Sequence, residues 1–407
     1  MTEATERALD YLLTLARVWI SPPSGGREQR STLGWPAHLA VAEEVERLAR
    51  IHGLLPWLHA MGERYPATLP PDGARRTAWE RERFETFAFQ SALYDLLAQV
   101  VAGCRAAGCP VVVLKGPAAA ARVWGDVGLR PTSDLDLLCH RQDLRRVARV
   151  VRAAGLAAEA HSATYHMTFR GERPGHVIEL HFGLYDFLEK PAFLEALWRS
   201  IVDIDLDGRE VPASSEEVAL AFGLAHWIHH DGRLGLPQLM ELAAAVWRGG
   251  VAAGEAADLL AETAFAAEAA LCVRTLGRLF SLPPAPAALA APAGTEAHDR
   301  EFELYVRGNL CQPEEARELP SPLAETLARS GWHLVTHAVR LAFPPLVELQ
   351  ALYGCGWAGA LARRPAHFWL AARRAIAKLR ARRHPVVAAA AEPATAPSVK
   401  REVYRRR

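Results

Sequence analysis

Two aspartates, Asp134 and Asp136, alternate with Leu135, Leu137 and Leu138. In an extended strand, side chains at i and i+2 share a face. Both carboxylates therefore project together, while Leu135 and Leu137 turn toward a core. Carboxylates so close repel unless a proton or a cation lies between them. A cation makes them a hard-oxygen site suited to Mg²⁺. Glu179, flanked by Ile178 and Leu180, is a third carboxylate directed away from an apolar surface. Three carboxylates converging from neighbouring strands would hold two Mg²⁺ ions, with Mn²⁺ as a substitute, the arrangement used for in-line displacement at phosphorus. Removing one aspartate should relieve repulsion in the metal-free protein and leave stability unchanged or slightly raised.

Other residues extend this chemistry. Lys115 and Gly116 follow the apolar run Val111–Leu114. Only four of 47 basic residues are lysine, so Lys115 reads as a compact ammonium chosen to meet phosphate as a point charge. Gly116, at a strand-to-helix turn, lets a phosphate approach the backbone. Arg130 is either a phosphate clamp near Asp134 or one half of a structural ion pair. His181, two residues beyond Glu179, shares its face and is a candidate substrate contact.

The elements that must position these groups follow from periodicity. Residues 1–95 read as helices, with Leu9, Leu12, Leu13 and Ala16 on one face and Leu39, Ala42, Val45 and Leu48 on another. Val111–Leu114 reads as a buried strand and Leu135–Leu138 as a second. Asp143 is placed to cap a helix bearing Leu144, Val147, Val150 and Val151. His166–Phe169 and Val177–His181 are further strands. Ile201–Glu210 alternates and turns at Asp207-Gly208, a hairpin signal. From Ser215 to about Gly356 the chain is helical, broken at Gly232–Pro237 and at 283–294. Residues 385–399 show no periodicity and read as disordered.

Composition sets the outer limits. At 407 residues, a prior of about 150 per domain suggests two or three units. Half of the residues are apolar, so a disordered or fibrous chain is excluded. A net charge of +1 excludes a uniformly basic nucleic-acid binder. Eleven basic residues nevertheless fall between Arg373 and Arg407, against Glu392 and Glu402. That segment is predicted to contact RNA, anionic lipid or an acidic protein. Six cysteines without a CxxC pair, and an N-terminus without an apolar block, point to a reduced, cytoplasmic protein. The stretch Leu341–Ala362 contains Pro344, Pro345 and Glu348 and is a poor membrane span. Asp203–Gly208 imitates a calcium loop, but its twelfth position is Ser214 instead of glutamate. His226, His229 and His230 lie at helical spacing without an HExxH pattern, and P-loop and Rossmann signatures are absent.

The order LKG, then R-x-x-S-D-x-D-L-L, then an acidic residue in an E-L-H strand resembles the nucleotidyltransferase superfamily that includes DNA polymerase β. More narrowly, it is similar to the bacterial nucleotidyltransferase family proteins, in which LKG replaces Gly-Ser. The specific part spans about residues 110–185, with weaker likeness through 215–250 and 340–355. The resemblance implies that Asp134, Asp136 and Glu179 are catalytic and hold the metals. It also implies that Lys115, Gly116, Arg130 and Ser133 meet the nucleotide. Pro117 stands where the superfamily has serine, which shifts weight to Lys115. Glu241 stands where relatives tend to carry aspartate. The expected fold is α/β (α+β), a small mixed sheet embedded in N- and C-terminal helices. Its expected parts are 1–95 helical, 96–212 nucleotidyltransferase core, 213–365 helical, and 366–407 a basic helix and tail. The expected reaction moves a nucleoside monophosphate from an NTP, foremost ATP, to a small molecule, peptide, protein or RNA end. A nucleotide-binding scaffold without turnover and an RNA binder using the basic tail are the alternatives.

Overall fold

The computed structural model describes residues 2–21, 33–162, 165–173, 175–184, 191–248, 252–263, 265–290, 295–312, 323 and 345–369. Seven strands lie among helices: β1 (Val111–Val113), β2 (Leu135–Cys139), β3 (Ala157–Ser162), β4 (His166–Arg170), β5 (Val177–His181), β6 (Val202–Asp205) and β7 (Glu210–Ala213). The fold is mixed α/β, as the sequence predicts. The chain forms two compact units, each assembled from three separate stretches: 1–92 with 117–131 and 187–329, and 93–116 with 132–186 and 330–407.

The second unit carries five strands in the order β3-β4-β5-β2-β1. β2 and β5 run parallel, whereas β1 with β2, β3 with β4 and β4 with β5 are antiparallel. The ladders place Leu135 beside Ile178 and Leu137 beside Leu180, with Met167 and Phe169 continuing the same two rows. All six side chains are fully buried, each worth about 1.5–3 kcal/mol of transfer free energy. Since side chains alternate across a strand, this apolar face commits Asp136, Glu179 and His181 to the other one.

The helix Leu144–Ala153 buries Leu144, Val147, Ala148 and Val151, and Arg152 lies over the Phe169 ring at 5.4 Å. It packs on the helix Leu346–Tyr353, where Arg152 donates to the Leu352 carbonyl at 2.8 Å and Arg141 pairs with Glu348. On its other flank a Cβ at Gly103 would stand 2.6 Å from Val150 Cγ1, so the bare backbone permits this close approach. The helix Gly73–Ala106 is long and apolar enough by length and composition to cross a membrane. Its Leu93, Tyr94, Leu97, Val100, Val101 and Cys104 are nevertheless buried in protein.

The first unit is mainly helical. Thr2 caps the helix Glu3–Ile20 through the Thr5 amide, and Thr295 caps Glu296–Cys311 through the His298 amide. Trp19, Trp57 and Trp124 meet with ring centroids 6.2–6.5 Å apart. β6 and β7 form the predicted hairpin, with Asp207 and Gly208 at φ 55° and 81°. Both central residues of such a turn need positive φ. The calcium-like run is thus an edge hairpin, in which Asp205 Oδ1 accepts from the Gly208 amide at 2.6 Å.

Three local expectations change. Asp134 immediately precedes β2 instead of lying within it. Asp143 makes no cap hydrogen bond; it ends a short 3₁₀ turn, Arg141–Asp143, and pairs with Arg146 at 3.2 Å. β3 is an extra strand, hidden in the sequence because Ala157, Ala158 and Glu159 have weak strand propensity. Residues 357–369 are helical. The predicted continuation to His384, the 385–399 segment and the terminal arginines lie outside the described residues.

Candidate active site

The parallel pairing of β2 and β5 sets Asp136 directly beside Glu179, and Leu138 beside His181. Adjacent strands stand about 4.8 Å apart, so the two carboxylates are held at the spacing of the sheet itself. On the other side of β2, the Leu114 amide donates to the Asp136 carbonyl at 3.1 Å. That bond extends the β1–β2 ladder by one residue and delivers Lys115 to the same face.

Asp136 is 2% exposed. Burying a carboxylate is costly unless it is paired and hydrogen-bonded. Here one oxygen, Oδ1, lies 3.3 Å from Lys115 Nζ and accepts from His181 Nε2 at 3.0 Å. Burial works against the charge on Lys115, but Asp136, Asp134 and Glu179 outweigh it and hold the ammonium pKa above its ordinary value. The three carboxylates picked out in the sequence therefore act on a single cation. Asp134 is half-buried, and the Ser133 hydroxyl donates to its Oδ1 at 3.3 Å. Gly116 has φ 65°, a left-handed conformation that glycine adopts without a Cβ clash.

Glu179 has neighbours that the sequence does not announce. Nε2 of His166 and Nε2 of His181 each stand 3.9 Å from Glu179 Oε2. His166 is opposite His181 in the β4–β5 ladder, their rings 5.1 Å apart. Tyr165 stacks on His181 at 6.0 Å. A histidine alternating with Met167 and Phe169 is a faint cue for the chemical face, and only the register shows what it meets.

Arg130 is found in the first unit. Its guanidinium donates to Glu241 at 2.7 and 3.2 Å, and Trp124 Nε1 donates to the same carboxylate at 2.9 Å. This is the ion-pair role weighed for Arg130. It also makes the half-buried Glu241 the acceptor for two donors. The histidine trio stands at the end of the helix Glu216–His229, with the His226 and His230 rings 4.3 Å apart.

A family model described as "Uncharacterised nucleotidyltransferase" matches residues 40–280. A comparison with curated proteins returns no match. Among solved structures, the solution structure of the antibiotic-resistance factor ANT(2'')-Ia is similar over 42% of this chain and 91% of that chain, at 16% identity and a TM-score of 0.34.

Proposed function

Because the chain belongs to this family of nucleotidyltransferases, we propose that it transfers a nucleoside monophosphate from an NTP, foremost ATP, to an acceptor, releasing pyrophosphate. One observation carries the assignment of the site: Asp136 and Glu179 stand in register on parallel strands, with Lys115 Nζ 3.3 Å from Asp136 Oδ1. Three carboxylates are a hard-oxygen donor set, which fits Mg²⁺, or Mn²⁺ in its place. Asp134, Asp136 and Glu179 would hold such ions, which would supply charge neutralisation at the α-phosphate and a lowered pKa for an acceptor hydroxyl.

The protein's own groups do the rest. The acceptor hydroxyl gives up its proton to water, its oxygen bonds to the α-phosphorus as the bond from that phosphorus to the α–β bridging oxygen breaks, and pyrophosphate leaves. Lys115 serves as a point charge for a phosphate oxygen; in the free protein it offsets the acidic trio. His181 holds Asp136 by donating to Oδ1, which fixes the carboxylate's orientation. Gly116 lets a phosphate approach the backbone, and Ser133 supplies a hydroxyl beside Asp134. Arg130 pairs with Glu241 within the first unit. The cysteine pattern supports the cytoplasm as the place of this reaction.

The test follows label from α-phosphate-labelled ATP, with Mg²⁺, across small-molecule, peptide, protein and RNA acceptors. Wild-type chain should release pyrophosphate, and Asp134→Asn or Asp136→Asn should reduce release at least about 100-fold. Glu179→Gln should weaken metal dependence and turnover together. Mg²⁺-dependent ATP binding with no pyrophosphate from any acceptor would favour the scaffold reading instead.

A further inference from the structure

The two sides of Glu179 differ in donor chemistry. Toward β2 lie carboxylates and an ammonium; toward β4 lies the imidazole of His166, and His181 stands two residues further along β5 itself. Among the described residues, His166, Glu179 and His181 are the group of three whose ligand atoms all fall within 4.8 Å of one another. We propose that these three residues form a second cation position, for a nitrogen-seeking divalent ion of the Zn²⁺ class, beside the oxygen position of Asp134 and Asp136.

The donor set selects the ion. Two imidazoles with one carboxylate suit Zn²⁺, whereas Mg²⁺ is held by oxygen and keeps much of its water. The geometry is close to what coordination needs. Donors bound at about 2.1 Å to one tetrahedral ion stand about 3.4 Å apart; here each Nε2 is 3.9 Å from Glu179 Oε2. With all three ligand atoms within 4.8 Å of one another, side-chain rotation of about an ångström closes the set. All three residues project from adjacent, hydrogen-bonded strands, so their backbones need not move. Tyr165, stacked on His181 and 4.9 Å from the His166 ring, confines the imidazoles. Three protein donors leave a fourth position for water or a substrate oxygen.

Occupancy has a further consequence. His181 Nε2 now donates to Asp136 Oδ1 at 3.0 Å, and one nitrogen cannot serve both an ion and that carboxylate. Filling the imidazole position therefore releases Asp136 from His181. The proposal goes beyond the transfer reading, because metal binding can be measured without turnover.

The experiment uses the full chain stripped of metal. Zn²⁺ affinity is measured by competition with a chromogenic chelator, and Co²⁺ is added as a spectroscopic probe of nitrogen ligation. The expected result is tight binding of one Zn²⁺ per chain and visible Co²⁺ absorption that Zn²⁺ displaces. His166→Ala and His166→Gln should each lose at least about 100-fold in Zn²⁺ affinity, while Asp134→Asn keeps it within a few-fold. Unchanged affinity in a folded His166 variant would overturn the site. So would equal loss in Asp134→Asn, or wild-type Co²⁺ spectra showing oxygen ligation alone. A chain that binds Zn²⁺ in this pattern but releases no pyrophosphate would refute the transfer reading and leave this one standing; the converse pattern would do the opposite.

Discussion

Oδ1 of Asp136 accepts from both Lys115 and His181, whereas Asp134 is half-buried beside the Ser133 hydroxyl. The two aspartates therefore differ in what their loss does to stability. Asparagine at 136 takes the charged acceptor from the buried His181 and the carboxylate from Lys115, and should destabilise the metal-free protein by about 1.5–3 kcal/mol. Asparagine at 134 should stay within about 0.5 kcal/mol of wild type. Chemical denaturation of the two variants checks this; equal stability would show that the Lys115 and His181 contacts add nothing. The sequence alone leads to an expectation of relief on removing either carboxylate; the contacts of Asp136 confine that expectation to Asp134. Lys115→Met sharpens the point. Without the ammonium, Asp134, Asp136 and Glu179 repel, so the variant should melt lower in chelator and recover more than wild type when Mg²⁺ is added. Melting curves with and without Mg²⁺ decide it, and an equal Mg²⁺ response in both proteins would contradict the electrostatic account. Asp136 and Glu179 were readable in the sequence because alternation with leucine fixes their face, whereas Asp134 lies just before β2. His166 was not, since a single histidine carries no spacing signal.

At the level of elements, β1 was legible as a short apolar run, and β2, β4 and β5 through apolar residues alternating with polar ones. The edge strand β3 was not, since its alanines have weak strand propensity. Asp143 had the composition of a cap but not its geometry, because a 3₁₀ turn precedes the helix. A cap of a different kind yields a pH prediction. His52 follows the helix Leu39–Ile51; its Nε2 donates to the Leu310 carbonyl at 2.8 Å, and its Nδ1 accepts from the Leu236 amide at 3.4 Å. Burial, with Arg47 adding to it, pushes its pKa from 6.5 down to about 4. The unfolded chain then binds the proton more readily than the folded one. Stability is fully present above pH 6.5 and falls as the pH drops toward 4, by about 3 kcal/mol in all. Denaturation midpoints across that window should show the loss. His52→Gln should flatten the contribution; an unaltered slope in the variant would assign it elsewhere.

For the whole molecule, the balance of charge is lopsided along the chain. Cutting after His384 removes five basic and two acidic residues and takes the formal charge from +1 to −2. The truncated protein should lose salt-sensitive retention on heparin or anionic vesicles, a force screened within about 10 Å at 0.1 M salt. Its pyrophosphate release with a small acceptor should match that of the full chain. Retention unchanged by the cut would place the basic contact elsewhere. The mixed fold was legible in advance because its helices and strands differ in apolar period. The assembly of each unit from three separate stretches was not, since no local pattern encodes which distant segments meet. The register of Asp136 with Glu179 bears on how such a chain can vary. Backbone hydrogen bonds between β2 and β5 set the gap between those acids, not the length of chain joining them. Residues inserted at the tip between β4 and β5, around Glu172 and Arg173, would lengthen the gene without stretching the gap. The spacing that matters for chemistry is thus insulated from the commonest kind of drift in length.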